Sequence, residues 1–120
     1  MKLNHLNLAV SDVLQTQQFL QTYFGFQPLI KGSPVLTVLE DENGFVLTLS
    51  NFSKAIEVTY PQEFHIGFIQ SSQEEVNTIN QRLREDGFTV EPPRSLHNSW
   101  TFYFQVPGGL LIEVLCLNQM

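Results

Sequence analysis

The chain has 120 residues, 42% apolar and 15% charged, which is the size of one domain that can bury a core without disulfide bonds. Its 12 acidic and 6 basic residues give a net charge of -6, which argues against nucleic-acid binding because phosphates require clustered Lys and Arg. No apolar run approaches the roughly 20 residues that cross a bilayer, and the first residues lack the apolar stretch of a signal peptide. Cys116 is the only cysteine, so no disulfide can form within the chain, and we expect a cytoplasmic protein. From the charge and the lack of a long apolar run, we expect no nucleic-acid or membrane partner.

The first predicted element is a strand with a histidine near its start, and the same pattern returns about halfway along the chain. HLNLAV begins at His5, and HIGFI begins at His65. A serine follows six residues after each histidine, Ser11 in the first case and Ser71 in the second. Because serine can cap a helix, each strand is predicted to lead into a helix.

The two predicted helices have similar beginnings and ends. Ser72 and Glu75 have the spacing of a capping box, and Asp12 is expected in the favourable opening turn of the first helix. Both helices are expected to stop at a Gly-Phe step, at Gly25 and at Gly87, because glycine suits the left-handed position that ends a helix. Apolar residues recur at helical spacing in both segments: Val13, Leu20 and Phe24 in the first, and Val76, Ile79 and Leu83 in the second.

Two predicted hairpins follow the helices. Residues 35–40 and 45–50 flank an Asn-Gly step, and residues 100–106 and 110–117 flank Pro-Gly-Gly. Short apolar segments around such turns are typical of β-hairpins. A third strand is expected in each half, after the proline that follows each helix.

The order β-α-β-β-β is therefore predicted twice, as an internal duplication of an α+β domain. We assign the first repeat to about residues 1–52, a linker to about 53–61 and the second repeat to about 62–120. One such match could arise by chance, whereas several in the same order favour a duplication.

A carboxylate lies in the middle of the last predicted strand. Residues 110–117 are otherwise apolar, as in a strand buried on both faces, and they contain Glu113. Burial of an unpaired carboxylate costs several kcal/mol, so it requires a base or a cation. Arg94 is the best basic candidate. The alternative is a metal ion held by Glu113 with His5 and His65, which occupy matched positions in the repeats, and these ligand types suit Fe(II), Mn, Ni, Co or Zn.

The duplication also identifies the residue that corresponds to Glu113 in the first repeat. Counting from the two glycine turns gives Thr48. Threonine is a poor ligand for a divalent ion, so the predicted site has at most three protein ligands and leaves positions open for substrate or water.

Three segments, HLNLAVSD, FHIGFIQ and FYFQVPGGLLIEV, resemble the vicinal oxygen chelate superfamily of glyoxalases, bleomycin-resistance proteins and extradiol dioxygenases. The resemblance covers essentially the whole chain. It implies two βαβββ modules that form a curved mixed sheet around a metal-site cleft, with His5, His65 and Glu113 as ligands. It also implies a homodimer, and in some members of this family the site is shared between subunits.

The resemblance implies a small metal-dependent enzyme that acts on a small oxygenated molecule chelated by the metal. Lyase, isomerase, thiol transferase and dioxygenase activities all remain open, although glyoxalase I would have a glutamate in place of Thr48 and dioxygenases usually have longer chains. For a fosfomycin-resistance enzyme, the chain lacks a run of basic residues to hold a phosphonate. The alternative is a metal-free protein that sequesters a drug or metabolite, as the bleomycin-binding members do.

The sequence also offers candidate catalytic and substrate-binding residues. Tyr103, ten residues before Glu113, is either a catalytic base or a core residue, and His97 is either a proton carrier or an exposed loop residue. The candidate substrate-binding residues are Asn7, Thr48, Arg94 and Trp100. For Trp100, stacking on an aromatic ligand and packing in the core are both open.

Overall fold

A computed structural model describes residues 1–118 and contains the predicted order of elements twice. The α+β class and the two βαβββ modules are therefore confirmed. The first module contains β1 (His5–Ala9), α1 (Val13–Phe24), β2 (Gln27–Pro28), β3 (Leu36–Glu40) and β4 (Val46–Ser50). The second contains β5 (Ile66–Ile69), α2 (Gln73–Glu85), β6 (Arg94–Leu96), β7 (Ser99–Gln105) and β8 (Leu111–Leu117).

The helix beginnings follow the sequence signals with two differences. In α1 the N-cap is Asp12, whose side chain accepts a hydrogen bond from the Gln15 backbone N–H, so Asp12 lies just before the first turn. In α2 the N-cap is Ser72, as the capping box requires, but the Glu75 carboxylate accepts from the backbone N–H of Ser71, at 3.0 Å, rather than from that of Ser72.

Each module forms its own four-stranded mixed sheet. The strand orders are β1-β4-β3-β2 and β5-β8-β7-β6, with the first pair of each sheet parallel and the others antiparallel. In both sheets the histidine-bearing segment therefore leads into an edge strand, and the last strand of the module lies beside it.

One face of each sheet packs against the helix of the same module. These faces hold the buried apolar side chains that form the cores. In the first module they include Leu8, Leu39, Leu47 and Leu49 with Val13 and Leu20 of the helix; in the second they include Phe102, Ile112 and Val114 with Val76 and Leu83.

The residues group into two compact units. One comprises Met1–Pro61 and Val106–Leu110, and the other comprises Gln62–Gln105 and the residues from Leu111 onward. Within the first unit the Ser11 hydroxyl donates to the Gly108 carbonyl, at 3.0 Å, which ties the turn between β7 and β8 to the start of α1. In the described part of the chain, neither helix is long and apolar enough to span a bilayer.

The environment of Tyr60 predicts that the stability of the first unit decreases at alkaline pH. Its hydroxyl donates to the Ala9 carbonyl at the end of β1, and burial raises its pKa above the usual value of 10.0. A raised pKa in the folded state means that stability is fully present below about pH 10 and is lost as the pH rises further. We expect urea unfolding to show this loss, and Tyr60→Phe, although less stable at neutral pH, to lose less between pH 9 and 11. An equal loss in both proteins would contradict the assignment.

Candidate metal centre

The strand register gives the two modules equivalent positions around their central pair of strands. Asn7 of β1 pairs with Thr48 of β4, and Gly67 of β5 pairs with Glu113 of β8. Because Asn7 and Gly67 each follow the module's histidine by two residues, Thr48 and Glu113 are structural counterparts. The register therefore agrees with the count made from the turns.

The residues on the face of the second sheet that carries Glu113 follow from this register. Glu113 pairs with Tyr103 of β7, and Thr101 pairs with both Leu115 of β8 and Arg94 of β6, so these side chains share one face. The strand was predicted to be buried on both faces, but Leu115 is half-buried and Leu117 is 56% exposed. Strand β8 is therefore fully buried only on the face that the helix covers, although, apart from Glu113, its sequence is apolar on both faces.

His65 and Glu113 lie together at this face. The His65 Nε2 atom is 3.3 Å from Glu113 Oε1, and their side chains are 35% and 12% exposed, respectively. The His65 Nδ1 atom lies 2.9 Å from the backbone carbonyl of Glu63, which can only accept, so Nδ1 carries a proton. Nε2 therefore directs either a lone pair or a second N–H at the carboxylate.

The carboxylate of Glu113 accepts hydrogen bonds from two neighbours on β7. The Thr101 hydroxyl lies 2.7 Å from Oε2, and the Tyr103 hydroxyl also donates to Glu113. In addition, the Tyr103 ring contacts the His65 ring edge-on, with centroids 5.3 Å apart. Among the described residues, the ion-pair partner of Glu113 within 4.0 Å is therefore the His65 imidazole. The alternative partner considered from the sequence, Arg94, does not form this ion pair.

The environment of Tyr103 keeps its hydroxyl protonated. Burial raises its pKa, as do the charge of Glu113 and the hydrogen bond to it, while the charge of Arg94 lowers it. The Tyr103 hydroxyl is therefore a hydrogen-bond donor at neutral pH.

His5 has a comparable local arrangement in the first unit. Its side chain is exposed on edge strand β1, and Nδ1 donates to Asn4 Oδ1 at 2.8 Å, which leaves Nε2 available. Among residues 1–118, no group of three or more His, Cys, Asp and Glu side chains is arranged to hold a metal ion. The structure thus brings together two of the three predicted ligands.

The remaining candidates lie in different surroundings. Asn7 Oδ1 accepts from the Ser50 hydroxyl at 2.9 Å within the first sheet, on the face that also carries Thr48. Trp100 lies on the opposite face of β7 from Glu113, and its indole N–H donates to Asn77 of α2, at 2.8 Å. His97 is exposed in the two-residue turn between β6 and β7.

The donor set of the second unit fits a divalent metal ion. Two ligand atoms each about 2.1 Å from an ion, at angles near 90–110°, are separated by roughly 3.0–3.4 Å. The observed 3.3 Å lies in this range and exceeds the roughly 2.7–2.9 Å of a charge-assisted hydrogen bond. A ring N–H donated to a backbone carbonyl is also the usual support of a metal-bound histidine.

Sequence reasoning missed Thr101. It lies on a strand rich in aromatic residues, where a threonine is a common strand former and gives no functional signal. Alternation could have placed it on the same face as Tyr103, but its contact with Glu113 depends on a strand register that the turn alone did not fix.

A family model described as the Glyoxalase/Bleomycin resistance protein/Dioxygenase superfamily matches residues 2–114. The chain therefore belongs to this superfamily. Comparison with curated proteins finds no match.

Solved structures with the same fold extend the comparison. A possible glyoxalase from Bacillus cereus is 49% identical, with a TM-score of 0.87 and coverage of 97% of this chain and 99% of its own. The fosfomycin resistance protein FosX from Listeria monocytogenes is 25% identical, with a TM-score of 0.75 and coverage of 97% and 93%. A mutant of that protein was solved with Mn(II) and a dihydroxypropylphosphonic acid. Lactoylglutathione lyase from Agrobacterium tumefaciens, 18% identical with a TM-score of 0.75 and coverage of 96% and 92%, shares the fold.

The turn that holds His97 gives a test of its role. His97 and Asn98 have φ of 51° and 59°, as in a type I′ turn, where Asn-Gly is preferred. We expect the double change His97→Asn and Asn98→Gly to stabilise the protein by about 0.5–1 kcal/mol in urea unfolding, because backbone strain is relieved. Metal affinity should stay unchanged, and its loss would show that His97 belongs to the site.

Proposed function

We propose that this chain is a small metal-dependent enzyme that acts on a small molecule bound through its oxygens. The observation that carries the proposal is the pair formed by His65 Nε2 and Glu113 Oε1, 3.3 Å apart, with Nδ1 of the same imidazole already used as a donor. A neutral imidazole nitrogen and a carboxylate oxygen are both electron-pair donors, so a shared cation satisfies both. The cation in this proposal is divalent: Fe, Mn, Ni, Co or Zn.

The third ligand in the proposal is His5 of a second copy of the chain. One chain supplies two grouped ligands within residues 1–118, and His5 lies exposed with its Nδ1 engaged by Asn4. Strands β1 and β5 each lie at an edge of their sheet, so each histidine lies on or directly beside an edge strand. A homodimer can therefore bring His5 of one subunit to His65 and Glu113 of the other.

The chain's own residues supply binding and proton-holding groups around this pair. Tyr103 has one hydroxyl proton, which it donates to Glu113 in this structure and can donate to a substrate oxygen instead. Arg94, exposed on the same face of the sheet, attracts an anionic substrate group. When bound, a divalent ion supplies Lewis-acid stabilisation of negative charge on the substrate oxygens. Lyase, isomerase, thiol-transferase and dioxygenase chemistry are the reaction classes to test.

The first experiment measures metal in the purified protein. We expect the parent protein to retain Mn(II), Zn(II) or a related ion after dialysis, as measured by elemental analysis. Glu113→Ala should lose most of it, because the variant removes one of the facing electron-pair donors. The change Glu42→Ala, in the exposed turn before β4, is a matched control expected to keep the metal. A parent protein without metal, or an unchanged Glu113→Ala, would favour the metal-free binding protein instead.

The second experiment tests whether the site is shared between subunits. His5→Ala and Glu113→Ala proteins are each expected to bind little metal. After unfolding and refolding together, a shared site would regain about a quarter of the parent's binding, since half the dimers are mixed and each has one intact site. If all three ligands came from one chain, every chain in the mixture would lack one ligand and binding would not return.

A further inference from the structure

Thr101 lies where it can control the orientation of the Glu113 carboxylate. Its hydroxyl oxygen is 2.7 Å from Glu113 Oε2 and 3.1 Å from the Val114 backbone carbonyl. A hydroxyl has one proton, and the shorter contact to the charged acceptor favours donation to Oε2. The side chain is only 1% exposed, so water does not readily replace this hydrogen bond.

We infer that Thr101 is a positioning residue that holds Glu113 with Oε1 turned toward His65. A carboxylate rotates about its last side-chain bond, so fixing Oε2 also fixes Oε1. In the structure Oε2 meets the Thr101 hydroxyl and Oε1 meets His65 Nε2. The inference rests on the proposed metal site and adds a residue that acts on it through Glu113.

The first module, which lacks the carboxylate, also lacks a hydroxyl at the position that corresponds to Thr101, and this supports the positioning role. Thr48 takes the position of Glu113, and the register then makes Leu36 the counterpart of Thr101. The module without the carboxylate thus has an aliphatic residue where the module with the carboxylate has a buried hydroxyl. Leucine and threonine are both compatible with a strand at either position, so strand propensity does not explain the difference. The buried hydroxyl occurs in the module that has the carboxylate.

The test compares Mn(II) affinity, followed by the electron paramagnetic resonance of free Mn(II), in the parent and in Thr101 variants. We expect Thr101→Val to weaken binding roughly 10–100-fold, the usual effect of removing a group that supports a ligand. Thr101→Ser keeps the hydroxyl and should restore affinity to within a few-fold of the parent. Thr101→Ala is the second hydroxyl-free variant, should the valine variant fail to fold.

Thr37→Val is the matched control. Thr37 is also a fully buried threonine in a central strand, but its hydroxyl has no hydrogen-bond partner among residues 1–118, so this substitution should leave Mn(II) affinity unchanged. A visible absorption spectrum of the Co(II)-loaded protein adds a readout of ligand geometry. It should change in Thr101→Val and remain parent-like in Thr101→Ser and Thr37→Val.

The outcomes separate this inference from the proposed function. A parent that binds Mn(II), a Glu113→Ala variant that does not, and a Thr101→Val variant with parental affinity and spectrum would overturn the positioning role alone. Equal losses in Thr101→Val and Thr101→Ser would also overturn it, because the serine retains the donor. A parent that binds none of the divalent ions would overturn the metal site and the positioning role together.

Discussion

The proposed chemistry of this protein depends on one close contact, in which Nε2 of His65 faces Oε1 of Glu113. The His65 Nδ1–H donates a hydrogen bond to the backbone carbonyl of Glu63, and the Glu113 carboxylate accepts hydrogen bonds from hydroxyl groups of β7. What remains is Nε2 opposite Oε1, at 3.3 Å. This separation is long for a charge-assisted hydrogen bond and suits two ligands of one cation. This separation is the geometric support for the proposed metal centre.

Duplication explains how a small sheet supports such a pair. The same register in both modules creates one central position beside each histidine segment, occupied by Thr48 in one module and Glu113 in the other. The second module changes the neighbours as well, with Tyr103 and Thr101 where the first has Val38 and Leu36. The carboxylate and its donors thus occur together, which lowers the cost of placing a charge in a largely apolar strand.

Much of this architecture could be predicted because it has local causes. The helix limits follow from caps such as Ser72 and Gly25, and the hairpins follow from glycine turns, so the order of elements was accessible. The ligand candidates were found because the duplication aligns His5 with His65. Other features depend on contacts between residues distant in sequence. The Thr101 hydroxyl matters through its contact with Glu113 on the neighbouring strand β8, and the strand register directs Trp100 toward α2, where it contacts Asn77.

The same reasoning underlies the proposal that a second copy of the chain completes the site. A residue on a strand is held rigidly by its ladder, which suits a ligand that must keep a fixed distance to its neighbour. Glu113 gains this from β8, and His65 directly precedes β5 of the same sheet. His5 lies on edge strand β1 of the other module's sheet, which has Thr48 in place of the carboxylate. Each module has a histidine, but only one has the anion and its donors. In the proposed homodimer each Glu113 gains a second imidazole, and every proposed ligand lies on a strand or directly beside one.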